Sequence, residues 1–147
     1  MSDFSIFDIS ASGMAVERLR MQVGAINMAN VNTTRTQNGG VFKPLTVISS
    51  PKYEQDFESL LETFSLNEKL PLGVKIDNVE ATDVRPRVVY EPSHPDADDK
   101  GFVRYPNINA VSEMVNLINV TRSYEANVRA FNASKRMMQS AMDIGSR

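Results

Sequence analysis

The stretch Asn107–Asp143, NINAVSEMVNLINVTRSYEANVRAFNASKRMMQSAMD, decides the fold, because it contains neither proline nor glycine. These are the two residues that most strongly oppose a helix. An unbroken helix of this length would extend roughly 55 Å at ~1.5 Å per residue. Ordinary globular helices have ~10–14 residues, so this one needs an equally long partner for its apolar side.

The apolar side of this predicted helix follows a regular spacing. Residues in alternating steps of three and four form a seam with the period of ~3.5 that is typical of coiled coils: Met114, Leu117, Thr121, Tyr124, Val128, Phe131, Lys135, Met138 and Met142. Val111, Val115 and Ile118 widen the stripe near its start. We therefore expect this end of the helix to contact more than one neighbour. The simpler alternative, one amphipathic helix that caps a globular core, fits a helix of ten turns less well.

Local signals define the ends of this helix. Asn109 is a suitable N-cap and Glu113 suits the positive end of the helix dipole. Gly145 is a natural stop. Glu125 and Arg129 are spaced to form an i,i+4 ion pair on its surface.

A second helix is predicted over residues 5–30. All seven prolines lie between Pro44 and Pro106, and all eight methionines lie outside that interval. Since proline breaks helices and methionine favours them, both ends of the chain are predicted to be helical. The N-terminal helix has its own seam, formed by Ile9, Ser12, Val16, Leu19, Val23, Ile26 and Asn30. Gly13 and Gly24 lower its intrinsic stability but allow another helix to approach closely.

The middle of the chain, about 39–105, is predicted to form strands and loops. Four stretches are candidates for strands: Val41–Ile48, Val74–Glu80, Arg87–Glu91 and Gly101–Arg104. The segment 50–72 is ambiguous, since the apolar residues within Asp56–Phe64 fit a short helix as well as a strand.

The predicted fold class is α+β, with long terminal helices that pair as an antiparallel, coiled-coil-like hairpin. A small antiparallel β unit is inserted between them. The corresponding domains are residues 1–38 and 107–147, which form the helical part, and residues 39–106, which form the β-rich middle.

Composition excludes several classes of function. The net charge is −2 and no basic run is present, which is unlike a nucleic-acid-binding protein. The chain has no cysteine and a single histidine, so disulfides, thiolate metal sites and zinc sites with two imidazoles are excluded. No apolar run reaches the ~20 residues of a membrane span, and no secretory signal is expected at the N-terminus.

No catalytic, cofactor-binding or metal site is predicted. Asp96, Asp98 and Asp99 resemble the start of a calcium loop, but Lys100 stands where an oxygen ligand is required and Asn107 stands where the loop needs a glutamate. The loop also holds Ser93, His94 and Asp96, which are too close in sequence to resemble a catalytic triad, whose members come from separate elements.

Asparagine is unusually frequent in the predicted helices, although it is a mediocre helix former. A buried asparagine at a helix interface can fix register and partner choice. This suggests helices that are packed in an ordered assembly, and it applies to Asn27, Asn30, Asn116, Asn119, Asn127 and Asn132.

Several motifs resemble those of the rod proteins of the bacterial flagellar basal body. Residues 27–34, NMANVNTT, are similar to the motif N-L-A-N-x-x-T of the wider axial family, with Met28 in place of leucine. Further similarity lies in Ser12–Met21, Tyr90–Val103, Tyr105–Asn109, Glu113–Asn116 and Ser123–Val128. Residues 50–72 carry no recognisable motif.

The resemblance implies a structural protein, not an enzyme. Such proteins are exported by the flagellar type III apparatus without a cleaved signal peptide. They assemble helically, with copies of themselves and other rod proteins, into a drive shaft that crosses the periplasm. Their terminal helices pair and surround the export channel.

The alternatives are a soluble coiled-coil adaptor or secretion chaperone, and an enzyme with a site in the β unit. From the seams and the asparagines we predict the helix-pairing and subunit-interface residues: Val16, Leu19, Val23, Ile26, Asn27, Asn30, Met114, Leu117, Ile118, Tyr124, Asn127, Val128, Phe131 and Met138.

Overall fold

Two long helices dominate the computed structural model, which describes residues 4–37, 39–53 and 72–145. Helix α1 spans Phe4–Ala29 and helix α2 spans Ala110–Gly145. The predicted cap is confirmed, because the side-chain oxygen of Asn109 accepts hydrogen bonds from the N–H groups of Val111 and Ser112, at 3.0 and 3.2 Å. The predicted ion pair between Glu125 and Arg129 is also present, at 3.0 Å.

The helices pair in antiparallel fashion, as predicted. Contacts between them run from Phe7 with Phe131, near the start of α1, to Gly24 with Leu117, near its end. Two glycines allow the close approach. A Cβ atom on Gly13 would lie 2.9 Å from the side-chain nitrogen of Asn127, and one on Gly24 would lie 2.9 Å from a methyl carbon of Leu117.

The observed seam differs from the predicted one at alternate positions. On α2, the partly or fully buried residues that recur every three or four positions are Glu113, Leu117, Val120, Tyr124, Asn127, Phe131, Ser134 and Met138. Leu117, Tyr124, Phe131 and Met138 agree with the prediction. The intervening positions lie one residue earlier than predicted, so Met114 is 53% exposed instead of facing α1.

Helix α1 shows the same kind of shift. Val16 and Val23 are buried as predicted, but Ile9 and Ile26 are exposed, and Ser10 and Asn27 are buried in their place. The physical reason is that the glycines bring the helices close together, which lets small and polar side chains be buried beside Val16 and Val23. The predicted seam is therefore one residue off at Ile9 and Ile26, although Asn27 is itself among the predicted interface residues.

The middle of the chain forms two antiparallel ribbons of two strands each. The first pairs β1 (Leu45–Pro51) with β2 (Val74–Ala81), and its register shifts between Ile48 and Ser49. The second pairs β3 (Arg87–Tyr90) with β4 (Phe102–Tyr105). The α+β class is thus confirmed, although β1 begins later than Val41. The ambiguous Asp56–Phe64 stretch lies outside the described residues.

Side chains of α1 attach the first ribbon to the helix pair. The Arg20 guanidinium donates to the Ser49 hydroxyl at 3.0 Å. The Ser12 hydroxyl accepts the N–H of Val74 at 3.2 Å. Because a two-stranded ribbon is marginally stable alone, these contacts make its position dependent on α1.

The second ribbon is closed by the acidic loop. The carboxylate of Asp98 accepts the N–H groups of Phe102 and Lys100, each at 2.9 Å, and these bonds hold the pKa of Asp98 below its usual value. Asp96 accepts a hydrogen bond from the hydroxyl of Thr34 at 2.6 Å, which joins the loop to the segment that follows α1. These two carboxylates therefore have structural partners.

Candidate assembly surface

The contact between α1 and α2 is built from rings, small residues and a few polar atoms. The rings of Phe7 and Phe131 meet edge to face, with 5.0 Å between their centroids. Such pairs contribute about 0.5–1.5 kcal/mol beyond their buried area. Near the middle of the pair, the hydroxyl of Thr121 lies 3.8 Å from the sulfur of Met21. The two helices are therefore in contact at several points along the length of α1, within the seam and beside it.

Asn27 connects all three parts of the structure. Its side chain is 4% exposed and makes two hydrogen bonds with the backbone of Leu45. It accepts the N–H of Leu45 at 2.8 Å and donates to the carbonyl oxygen of Leu45 at 2.9 Å. Asn27 also lines a groove with Glu113 and Leu117 of α2. An asparagine side chain thus takes the place of a neighbouring strand at the start of β1.

Two of the other asparagines singled out in the sequence, Asn30 and Asn127, have different partners, whereas Asn116, Asn119 and Asn132 are exposed. The side chain of Asn30 donates to the carbonyl oxygen of Ile26 at 2.9 Å and accepts the hydroxyl of Thr33 at 3.1 Å, which closes the end of α1. Asn127 packs over Gly13 between the two helices. Sequence patterns identified these residues but not their partners.

The predicted interface residues fall into two groups. Most of them are buried or half-buried along the helix pair: Val16, Leu19, Val23, Asn27, Asn30, Leu117, Tyr124, Asn127, Val128, Phe131 and Met138. Ile26, Met114 and Ile118 are largely exposed. For these three, a subunit interface remains the prediction.

Exposed large apolar residues of the helices lie in two groups. The first, which we call the α2-start patch, lies where α2 begins and α1 ends, and consists of Ile26, Val111, Met114, Val115 and Ile118. The second, which we call the α1-start patch, lies where α1 begins and α2 ends, and consists of Ile6, Ile9, Met137, Met142 and Ile144. An open, mainly apolar cleft of about 470 Å³ adjoins the α1-start patch, between Phe7 and Met138.

Neither patch is covered within the described part of the chain. Val111 is 70% exposed and Ile144 is 77% exposed. Groups of exposed large apolar residues such as these often mark interaction sites in soluble proteins. The α2-start patch agrees with the widened apolar stripe predicted from the sequence. The α1-start patch was not predicted, because the seam pattern alone does not show which apolar side chains stay exposed once the two helices have paired.

Among residues 4–37, 39–53 and 72–145, no three His, Cys, Asp or Glu side chains are grouped as metal ligands. His94 Nδ1 accepts the N–H of Asp96 at 3.1 Å, within the turn that carries both residues. The hydroxyl of Tyr105 donates to Glu91 at 2.8 Å, and this bond raises the pKa of Tyr105.

None of the described helices combines the length and the apolar character that crossing a bilayer requires.

Comparison with known proteins gives a consistent assignment. Residues 99–144 match the family model described as flagellar basal body rod FlgEFG protein C-terminal. Over its full length the chain is similar to proteins named flagellar basal-body rod protein FlgC. It is 38% identical to the Bacillus subtilis protein, with 99% of both chains covered. It is 35% identical to the Borreliella burgdorferi protein, with 98% of both covered, and 31% identical to the Salmonella typhimurium protein, with 99% of both covered.

These identities extend over nearly the whole of each chain, so they include the helices, both ribbons and the acidic loop. The chain therefore belongs to the FlgC family of flagellar basal-body rod proteins and is a structural subunit of the rod.

Proposed function

We propose that the chain assembles helically with copies of itself and with other rod proteins, and that the assembly transmits torque as part of the drive shaft. The observation that carries this proposal is the high exposure of α2 to solvent. Of its 36 residues only Ser134 is buried, although the helix is ~54 Å long at ~1.5 Å per residue. A helix that covers so little of its own surface is suited to contacts with other subunits.

The proposed division of labour follows the chain. Residues 1–38 and 107–147 form the helical part that packs around the export channel, and residues 39–106 form a lateral unit. We propose further that the chain acts without catalysis, that the type III export apparatus delivers it without a cleaved signal peptide, and that the rod it enters crosses the periplasm. The exposed Ile26, Met114 and Ile118 then contact neighbouring subunits.

Deletion and purification test this role. Removing the gene from its own bacterium should abolish swimming and leave basal bodies that lack an extended rod. Restoring the gene should return both, and the chain should then be found in purified basal bodies. Normal rods and normal swimming without the chain would exclude the proposed function.

A further inference from the structure

The methionine side chains of the two helices differ in their exposure. Met114, Met137 and Met142 of α2 are 53%, 62% and 60% exposed. The other methionines of the described residues are half-buried: Met14, Met21, Met28 and Met138. Because the chain has no cysteine, its thioethers are its only sulfur groups. Three of them are therefore open to small reagents in solvent, and all three belong to the apolar patches.

The surroundings of the sulfur groups differ as well. The sulfur of Met21 lies 3.8 Å from the hydroxyl of Thr121, so atoms of the partner helix occupy one side of it. Met137 and Met142, by contrast, line the open cleft of about 470 Å³ beside Phe7. Hydrogen peroxide is little larger than water, which takes up ~30 Å³ in the liquid. Peroxide therefore has room to reach both of these side chains.

Hydrogen peroxide converts a thioether to a sulfoxide without a further reagent. A lone pair of the sulfur attacks one peroxide oxygen, so that a sulfur–oxygen bond forms and the oxygen–oxygen bond breaks. The departing hydroxide takes the proton from the transferred oxygen and leaves as water. The sulfur is oxidised by two electrons and the peroxide is reduced by two. A flexible apolar side chain thereby becomes a polar and chiral one.

We propose that Met114, Met137 and Met142 are oxidation sites of the free chain, with hydrogen peroxide as the oxidant, and that their oxidation blocks incorporation into the rod. A sulfoxide places an acceptor oxygen within each apolar patch. When another subunit covers the patch, that oxygen loses its water without gaining a donor, which is unfavourable. The helix pair itself stays folded, because these three side chains are exposed. The effect on incorporation rests on the proposed function, whereas the choice of sites does not.

A time course of oxidation tests the choice of sites. The purified full chain is treated with dilute hydrogen peroxide, and peptide mass spectrometry gives the sulfoxide fraction at each methionine. The three exposed methionines should be oxidised several-fold faster than the half-buried methionines of α1. In denaturant the difference should disappear, because all the sulfur groups are then exposed. Circular dichroism should show the same helix content before and after the exposed sites have reacted.

Two substitutions at the exposed sites separate polarity from size. Leucine keeps the volume and the apolar character of methionine but cannot be oxidised, and glutamine imitates the polar sulfoxide. The chain with all three leucines (Met114→Leu, Met137→Leu, Met142→Leu) should be present at its normal level in purified basal bodies, even from cells that form rods in sublethal peroxide. The chain with glutamine at the same three positions should be missing without any peroxide.

A matched control removes the same number of thioethers from the half-buried positions of α1. Its substitutions are Met14→Leu, Met21→Leu and Met28→Leu. This variant keeps the exposed sites, so its content in basal bodies should be normal without peroxide and should fall in peroxide, as for the unsubstituted chain.

Three results would overturn the proposal. One is an equal rate of oxidation at the exposed and half-buried methionines of the untreated fold. The second is normal incorporation of the glutamine variant. The third is a loss of incorporation in peroxide that is as large for the leucine variant of the exposed sites as for the unsubstituted chain. An unsubstituted chain that is absent from basal bodies without peroxide would instead contradict the proposed function, so the two failures are distinguishable.

Discussion

Asn27→Ala should lower the free energy of unfolding by about 2–3 kcal/mol, because it leaves the N–H and carbonyl groups of Leu45 without their partners. For a chain of this size such a loss lowers the melting temperature by roughly 5–10 °C. Thermal denaturation followed by circular dichroism would measure it. We expect the largest change at β1, since Asn27 satisfies the backbone at the strand's first residue.

Asn119→Ala is the matched control for this substitution. Asn119 lies exposed on α2, where alanine is the better helix former. Its melting temperature should stay the same or rise slightly. Equal losses for both variants would show that the bonds between Asn27 and Leu45 do not hold the ribbon to the helix pair.

Phe131→Asp should abolish incorporation into the rod. The ring of Phe131 meets that of Phe7 inside the helix pair, and a carboxylate there has no partner. The second ribbon should remain folded, because Val103, its fully buried residue, belongs to β4 and not to the helix seam. Swimming assays and the content of purified basal bodies report on incorporation, and the NMR signals of the Val103 methyl groups report on the ribbon.

Asn132→Asp introduces the same charge at the neighbouring, exposed position. This control variant should be incorporated normally. Swimming by the Phe131→Asp strain, at the level of the control, would mean that the seam between α1 and α2 is not required in the assembled rod.

From the sequence we could predict the two helices, the strands and about half of the residues in each helix seam. Proline and methionine separate the helices from the strands, and Asn109 marks the start of α2. Large apolar side chains at Val16, Val23, Leu117 and Phe131 identify part of the helix contact, since burying them is favourable wherever the backbone permits it.

Which other residues are buried in the helix contact depends on the distance between the two helix axes. Ser10 and Ser134 are buried, and no hydrophobic pattern marks them. The partner of Asn27 could not be predicted either, since Leu45 lies eighteen residues away across a turn. The register of the helix pair also decides which apolar side chains remain exposed. The α1-start patch could therefore be recognised only in the structure.

We expect the exposed apolar surface of α2 to be buried by other subunits in the rod. Because the chain has no cysteine, a single thiol introduced by Val115→Cys or Met142→Cys can be followed without interference. Maleimide labelling should modify both thiols rapidly in the purified free chain and slowly in intact basal bodies, with full reactivity after denaturation. Equal labelling rates in the free chain and in intact rods would contradict the claim.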